Sequence, residues 1–229
     1  MSKTNKNFNI AIIVAGGKGL RLGGKTPKQF LSLGNKAVFL WSVIAFNKTN
    51  LFGQLIVVAP TSYHKKYSKL SKKYNFTFAL SGDERINSVM SGLQKLKSSV
   101  KFVTIHDAAR PFVSTKLICA IQIAAQKNGA AIAAIPAQDT VKYSKDGFRV
   151  SKTLSRANIW LAQTPQTFKR ELIENAYKKN KNFEITDDAS AVESIGIKPV
   201  LILGEKNNFK ITTKEDMLLA KIIAAKRII

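Results

Sequence analysis

The stretch from Ile10 to Phe30, IAIIVAGGKGLRLGGKTPKQF, decides the fold predicted for this chain of 229 residues. Its apolar run from Ile10 to Val14 has the pattern of a short buried β-strand. The run ends at Ala15, Gly16 and Gly17, where minimal side chains allow backbone N–H groups to approach a bound anion closely. We therefore predict a strand that leads into a phosphate-binding loop.

The same loop is strongly basic. Arg21, Lys25 and Lys28 follow the glycines, and the chain contains no Asp or Glu before Asp83. Uncompensated positive charge beside backbone donors favours a strongly negative ligand, and a polyphosphate fits best.

Two known phosphate-loop patterns compete for this stretch. Gly19 to Thr26 satisfies the P-loop spacing of ATPases, but Pro27 disfavours helical backbone at Thr26, where a P-loop must begin its helix. The glycines at 17, 19 and 23 imitate a dinucleotide-binding fingerprint, which requires an acidic residue about 20 positions later. The acid-free first third of the chain offers none, so we set both patterns aside.

Composition bounds the remaining classes of function. The chain has 37 Lys and Arg against 14 Asp and Glu, and this net charge of +23 suits a nucleic-acid-binding protein. However, the lysines are spread over predicted helix and loop surfaces without a basic and aromatic cluster, so we expect no nucleic-acid partner. No linker-like tract divides the sequence, which favours one domain over residues 1–229.

The single cysteine, Cys119, leaves no cysteine pair within the chain, which indicates a reducing compartment. Residues Met1 to Asn9 are polar, and no apolar run approaches the roughly 20 residues that a membrane-spanning helix needs. We therefore expect a cytoplasmic protein without a membrane segment.

Apolar runs of strand length alternate with segments of helical length. The predicted strands are Ile10–Val14, Gln54–Pro60, Phe76–Leu80, Lys101–His106, Ala130–Ala137 and a run within KPVLILGE; the predicted helices are Val38–Lys48, Ser62–Tyr74, Asn87–Lys97, a helix capped by Ser114 that reaches Lys127, one from Arg170, a short one capped by Thr186 and Asp187, and one from Thr213. Near-continuous apolar strands indicate an α/β fold with a mostly parallel, twisted sheet flanked by helices. Ligands of such sheets bind at the carboxyl ends of the strands.

The pattern changes between residues 138 and 158. Two alternating runs flank the turn Lys145-Asp146-Gly147, which predicts a projecting β-hairpin arm. A two-stranded ribbon is marginal alone, so we expect the arm to pack against a second copy of the chain.

The scarce carboxylates mark the same edge of the predicted sheet. Asp83, Asp107 and Asp139 each follow a predicted strand, where they can either hold Mg²⁺ shared with substrate phosphates or cap the next element. His106 is next to Asp107, but neighbours on a strand point to opposite faces, so we expect a structural histidine. One cysteine and two histidines exclude a usual zinc site.

Several cations occupy predicted loops rather than amphipathic helices: Arg21, Lys28, Arg85, Arg110, Arg156 and Lys210. Phosphoryl and nucleotidyl transfer need such a set, because positioning and charge stabilisation supply most of the rate.

With these residues in view, the chain resembles the 2-C-methyl-D-erythritol 4-phosphate cytidylyltransferase family nearly end to end. The resemblance rests on eight blocks in family order: AGGKGLRLG with TPKQF, SGDERINSV (81–89), HDAARPF (106–112), DTVK (139–142), SRANIW (155–160), QTPQTF (163–168), TDDAS (186–190) and NFKIT (208–212). It implies a Rossmann-like nucleotidyltransferase fold, and an enzyme of isoprenoid synthesis that joins CTP to methylerythritol phosphate, uses Mg²⁺ and releases pyrophosphate.

The resemblance also implies residue roles. The residues expected to bind CTP are Ala15, Gly16, Gly17, Gly19, Gly82, Asp83, Arg85 and Ser88. Those expected at the second substrate are Asp107, Arg110, Thr140, Thr164 and Thr186, with Asp107 also at the metal. The expected catalytic residues are Arg21, Lys28, Arg156 and Lys210, which stabilise charge on the phosphates and aim the attacking phosphate.

In this family the arm is the dimerisation element, and Arg156 and Thr186 reach the active site of the partner subunit. Three positions depart from the family pattern: Gly16, where a second alanine is usual, Leu20, where a second basic residue is common, and Asp188, where Glu is frequent. We expect none of them to matter, since none touches a residue with an assigned charge role. The nearest alternative is a ribitol 5-phosphate cytidylyltransferase, which shares the fold and the CTP loop; ERINSV and TDDAS favour methylerythritol phosphate.

Overall fold

The computed structural model describes residues 8–17, 26–179 and 185–228. In chain order its elements are β1 (Asn9–Val14), β2 (Ser32–Leu33), β3 (Lys36–Ala37), α1 (Val38–Lys48), β4 (Gln54–Ala59), α2 (Thr61–Lys66), α3 (Ser68–Lys73), β5 (Phe76–Leu80), α4 (Arg85–Leu93), β6 (Phe102–Asp107), α5 (Thr115–Asn128), β7 (Ala130–Pro136), β8 (Val141–Tyr143), β9 (Lys152–Leu154), β10 (Trp160–Lys169), α6 (Arg170–Lys179), α7 (Asp188–Glu193), β11 (Val200–Leu203) and α8 (Lys214–Ile228). Short 3₁₀ turns cover Lys28–Phe30 and Arg156–Asn158.

Seven strands form the central sheet in the order β11-β7-β10-β6-β1-β4-β5. The pairs of β1 with β4 and β6, of β4 with β5 and of β7 with β11 are parallel. Only β10 is antiparallel to its two neighbours among these strands, which confirms the predicted mostly parallel α/β sheet. The carboxyl ends of β1, β5 and β6 therefore meet at one edge of the sheet.

Strand β10 had no strand signal in the sequence, although it lies in the middle of the sheet. Four polar side chains interrupt its apolar pattern, and all four are buried: Gln163, Thr164, Gln166 and Thr167. Its register shifts between Ala162 and Gln166. The chain returns from the arm in the opposite direction, so β10 enters the gap between β6 and β7 antiparallel to both.

Helices cover both faces of the sheet. On one face α1 buries Phe39, Val43 and Phe46 against β1 and β4, and α5 packs beside it. On the other face α4, α6 and α7 contribute to a second cluster. Burial of each large apolar side chain stabilises the fold by about 2 kcal/mol, so helices on both sides fix the strands that carry the site.

Three helix predictions need adjustment. The predicted helix Ser62–Tyr74 is divided at Tyr67 into α2 and α3, and α4 begins two residues before the predicted start at Asn87. Asp187 caps α7, accepting the N–H of Ser190, whereas the Thr186 hydroxyl donates to the Ser190 hydroxyl and is not the cap. The predicted Ser114 cap of α5 is confirmed.

The predicted hairpin is confirmed by the antiparallel pairing of β8 with β9. Its turn is held by the Asp146 carboxylate, which accepts the N–H groups of Phe148 and Arg149 at 2.9 Å. Phe148 is 94% exposed on this arm. None of the helices within the described ranges combines the length and apolar character that a membrane crossing needs.

Candidate active site

Two adjoining cavities lie at the carboxyl edge of the sheet. The glycine cavity has a volume of about 410 Å³ and is lined by Val14, Gly16, Gly17, Lys28, Gln29, Gly82, Asp83, Glu84, Arg85, Ser88, Asp107, Ala109 and Lys210. The threonine cavity, of about 290 Å³, is lined by Arg85, Asp107, Arg110, Ala162, Gln163, Thr164, Gln166, Thr186, Asp187 and Lys210. Both cavities share Arg85, Asp107 and Lys210, so these three side chains form the wall between them.

One side of the glycine cavity is made of closely packed backbone. A Cβ atom on Gly16 would lie 2.6 Å from Ser81 Cβ and 2.9 Å from Ser88 Oγ, so residue 16 cannot carry a side chain without displacing its neighbours. The Ser88 hydroxyl accepts the N–H of Gly82 at 3.1 Å. The close approach of Ser81 and Ser88 therefore favours glycine at position 16.

Gln29 is a residue of this wall to which the sequence analysis gave no role. Its buried side-chain amide donates to the carbonyl groups of Ala15 and Gly17, both at 2.7 Å. The next residue, Phe30, stacks on Tyr63 with ring centroids 3.6 Å apart, which fixes the segment that also carries Lys28. The block TPKQF contained the signal, because a Gln amide is a donor suited to the free carbonyls of a glycine loop.

The opposite side of the glycine cavity is an ion network. Arg85 begins α4 and donates through Nε to Asp107 Oδ1 at 3.2 Å. Its two terminal nitrogens bind both oxygens of Asp188 at 2.9 and 2.6 Å. The expectation that Asp188 touches no residue with a charge role is therefore wrong: Asp188 is fully buried and is the main partner of Arg85.

Lys210 completes the network from a distant segment, with Nζ 2.8 Å from Asp107 Oδ2. Its segment is fixed by the buried Asn208, which donates to the Thr164 carbonyl at 2.8 Å. Arg110 donates through Nη1 to the Asn208 carbonyl at 2.8 Å, while Arg110 Nε is buried with no hydrogen-bond partner among the described residues. Lys210 lies 103 positions after Asp107 in the sequence, and the fold brings the two residues to one edge of the sheet.

The surrounding cations control the charge of the shared wall. Burial alone would raise the pKa of Asp107, but Arg85 and Lys210 outweigh burial and hold that pKa well below its usual range. Burial lowers the pKa of Arg110, and Asp107 partly offsets this effect. Asp107 is therefore an anion held between cations rather than a proton donor or acceptor near neutral pH.

His106 has the predicted structural role below this wall. It is fully buried, with Nε2 3.1 Å from the Arg110 carbonyl and Nδ1 3.0 Å from the Thr164 hydroxyl. Because Nε2 must donate to a carbonyl, the hydroxyl of Thr164 donates to Nδ1 while it accepts the N–H of Asp107 at 3.0 Å. Burial lowers the pKa of His106 to about 4, so the ring is neutral at pH 7.

The other predicted site residues divide into three groups. Gly19 and Arg21 lie outside the described residues. Thr140 and Arg156 are exposed at the arm and do not line either cavity, and the Arg156 guanidinium donates to the Gln138 carbonyl. Thr186 lines the threonine cavity of its own chain, so no partner subunit is needed to bring it there.

The oxygen donors of the glycine cavity meet part of what a divalent cation requires. Mg²⁺ prefers oxygen ligands and is usually held by one or two carboxylates together with substrate phosphates. Asp83 and Asp107 line the glycine cavity, but within the part of the chain that the structure describes no group of three metal-ligating side chains occurs. The residues therefore fit an ion shared with a bound polyphosphate and do not form a complete protein cage.

A family model, curated relatives and solved structures similar to this chain all carry names of one enzyme family. A family model described as 2-C-methyl-D-erythritol 4-phosphate cytidylyltransferase matches residues 9–226. A protein of that name from Endomicrobium trichonymphae is 44% identical over 216 residues, covering 94% of this chain and 98% of that protein. Another, from Caldicellulosiruptor saccharolyticus, is 41% identical over 215 residues, covering 93% and 96%. The crystal structure of 4-diphosphocytidyl-2C-methyl-D-erythritol synthase from Anaerococcus prevotii has a TM-score of 0.85 and 30% identity, covering 95% of this chain and 98% of that one.

Proposed function

Because the chain belongs to the 2-C-methyl-D-erythritol 4-phosphate cytidylyltransferase family, we propose that its two joined cavities are the active site of that reaction. The enzyme transfers CMP from CTP to methylerythritol phosphate in isoprenoid precursor synthesis. A phosphate oxygen of the alcohol phosphate bonds to the α-phosphorus of CTP, the bond to the bridging oxygen breaks, and pyrophosphate leaves with the electron pair. No proton has to be removed from the attacking phosphate when it is a dianion.

One observation carries the assignment: Arg85, Asp107 and Lys210 line both cavities at once. A transfer between two phosphorylated substrates needs charged groups where the two phosphates meet. In this proposal CTP occupies the glycine cavity, with Ala15, Gly16 and Gly17 at the triphosphate and Gly82, Asp83 and Ser88 at the base and ribose. Gly19 and Arg21 keep their predicted roles at the triphosphate.

The cations divide between binding and charge stabilisation. Lys28 lines the glycine cavity and neutralises charge that develops on the α-phosphate and the leaving pyrophosphate. Lys210 stands at the shared wall and orients the attacking phosphate for in-line attack. Arg110, Thr164 and Thr186 line the threonine cavity and receive the methylerythritol phosphate; Arg110 Nε has no hydrogen-bond partner among the described residues, which supports this role.

A divalent cation supplies further charge neutralisation when bound. Asp107, with Asp83 nearby on the same cavity, would hold it together with the triphosphate. Asp107 alone is a poor metal ligand in the free protein, because both of its oxygens already face a cation.

The arm supports a homodimer. A two-stranded ribbon is marginal alone, and the connection between β8 and β9 carries the exposed apolar residues Phe148 and Val150. Pairing of two arms would cover these side chains and place Arg156 and Thr140 against a second subunit. A cytoplasmic location remains part of the proposal and is supported by the single cysteine of the sequence.

The test is pyrophosphate release from CTP and Mg²⁺ with methylerythritol phosphate or ribitol 5-phosphate as acceptor. We expect a clear preference for methylerythritol phosphate, and a loss of kcat on the order of 100-fold in Lys28→Ala. Lys127→Ala, at an exposed position on α5, is the matched control and should retain the wild-type rate. A preference for ribitol phosphate would reassign the acceptor, and oligonucleotide binding tighter than CTP binding at physiological salt would favour the nucleic-acid alternative.

A further inference from the structure

We infer that Asp188 is a positioning residue for the transfer reaction, and that it acts by holding Arg85 against Asp107. The inference rests on the proposed active site. It concerns a side chain that lines neither of the two cavities and that stands 81 positions after Asp107 in the sequence.

The geometry of the Asp188 carboxylate is that of a fixed anchor. Both of its oxygens accept hydrogen bonds from the Arg85 guanidinium in a bidentate ion pair, at 2.9 and 2.6 Å. One oxygen also accepts from the Tyr177 hydroxyl, which reaches it from α6. Asp188 is fully buried and Tyr177 is nearly so, and Asp187 caps the helix on which Asp188 stands. A planar fork matched to a carboxylate fixes the plane of the guanidinium as well as its position.

The anchored guanidinium has one nitrogen left, and that nitrogen faces the reaction site. Arg85 Nε donates to Asp107 Oδ1, and the other oxygen of Asp107 meets Lys210. The order of contacts is therefore Tyr177, Asp188, Arg85, Asp107 and Lys210, from the interior between α6 and α7 to the wall shared by the cavities. A rotation of Arg85 would change the place of the charged groups that meet the reacting phosphates.

A purely structural role would have a different signature. Removal of one member of a buried ion pair leaves an uncompensated charge and destabilises the fold, whereas removal of both members relieves that cost. Stability should therefore recover in a doubly neutral pair. If Asp188 is a positioning residue, kcat should not recover in this way, because the Asp188–Arg85 pair that orients Asp107 is gone.

The decisive experiment compares Asp188→Asn, Arg85→Met and the double variant in steady-state kinetics and in thermal unfolding. Asp188→Asn should lower kcat on the order of 10- to 100-fold, since small misplacements of reacting groups have effects of this size. The KM for CTP should stay within about threefold, because the backbone wall that binds it is intact. The double variant should unfold at a higher temperature than Arg85→Met and still have the low kcat.

Three further variants keep the test decisive. Asp188→Glu preserves the carboxylate and should retain most of the activity. Arg85→Lys preserves the charge but not the fork, so it should lose kcat like Asp188→Asn, and it answers the question if Asp188→Asn does not fold. Glu193→Gln, an exposed carboxylate on the same helix, should leave kcat unchanged.

Two results would overturn the inference. The first is a kcat of Asp188→Asn or Arg85→Lys within about twofold of wild type. The second is a recovery of kcat together with stability in the double variant. In either case pyrophosphate release by wild-type protein still supports the proposed function, so the two claims fail separately.

Discussion

The two sides of the glycine cavity are built on different principles. The backbone wall consists of Gly16, Gly17 and Gly82; neighbouring atoms leave no room for a Cβ at Gly16 and Gly82, whereas Gly17 is open. The charged wall consists of Arg85, Asp107 and Lys210, whose side chains are held by ion pairs with partners on separate elements. The first wall provides shape and N–H donors, and the second provides charge.

This difference separates binding from reaction. Backbone N–H groups at a glycine loop attract a triphosphate whether or not it reacts, so they contribute mainly to affinity. In the proposed reaction, charged groups at the border of the two cavities would act where charge develops during transfer, so we expect them to contribute mainly to rate. Changes to the two walls should therefore have different kinetic and thermodynamic consequences.

The largest expected effect is on the charged wall. Lys210→Ala should lower kcat by roughly 100- to 1000-fold, as removal of a preorganised charge-stabilising donor does in other enzymes. Steady-state pyrophosphate release measures it. Lys206→Ala, an exposed lysine of the same segment, is the matched control and should keep wild-type kcat. Equal losses in both variants would remove the distinction between the two walls.

The next effect concerns the support of the charged wall at low pH. The pKa of the buried His106 is lowered from 6.5 to about 4, so the unfolded chain takes up a proton in this interval more readily than the folded protein. The stability present above about pH 6.5 should be lost progressively as the pH falls towards about 4, with a contribution on the order of 3 kcal/mol.

Denaturant unfolding of wild type and His106→Gln between pH 7 and 4 gives the free energy of unfolding of each protein at each pH. The contribution of His106 is the difference between the two proteins in how steeply this free energy depends on pH. The wild type should lose more stability than the variant over the interval. Parallel curves for the two proteins would show that His106 takes no part in the pH dependence.

The smallest of these effects concerns the backbone wall. Gly16→Ala places a Cβ atom against Ser81 and Ser88, and such overpacking costs about 1–3 kcal/mol of folding free energy. Gly17→Ala is the matched control, since a Cβ there meets nothing within 4 Å, and its unfolding temperature should not change. The double variant Gly16→Ala with Ser81→Gly should regain the part of the lost stability that the contact with Ser81 causes. If Gly16→Ala is as stable as wild type, the close packing assigned to this wall is wrong.

The two walls also differ in how much of each could be predicted from the sequence. Gly16 and Gly17 of the backbone wall could be predicted because they directly follow the apolar run that predicts β1 by pattern alone. Arg85 and Lys210 were identified as cations of predicted loops, and Asp107 as a carboxylate at the end of a predicted strand; the parallel sheet brings their segments to one edge. The pairing of Arg85 with Asp188 was not predictable, because the two residues are 103 positions apart and Asp188 is buried only by tertiary packing.

Strand β10 shows the same limit in the fold itself. Its buried Gln163, Thr164, Gln166 and Thr167 serve other parts of the site, and so no alternating apolar pattern marked the strand. The side-chain oxygen of Gln163 accepts a hydrogen bond from the side-chain amide of Asn208 at 3.1 Å. The Thr164 hydroxyl is hydrogen-bonded to the backbone N–H of Asp107 and to Nδ1 of His106. Buried polar residues of a strand that hydrogen-bond to site residues break the apolar pattern, so the sequence predicts a loop where the structure has a strand.

A crystal structure of the protein with a non-hydrolysable CTP analogue, methylerythritol phosphate and Mg²⁺ would show where the α-phosphate binds. We expect glycine N–H groups at the triphosphate, and the ammonium groups of Lys28 and Lys210 within about 3 Å of phosphate oxygens on opposite sides of the α-phosphate. A triphosphate bound away from the shared wall, with both ammonium groups beyond hydrogen-bond reach of any phosphate oxygen, would contradict the proposed active site.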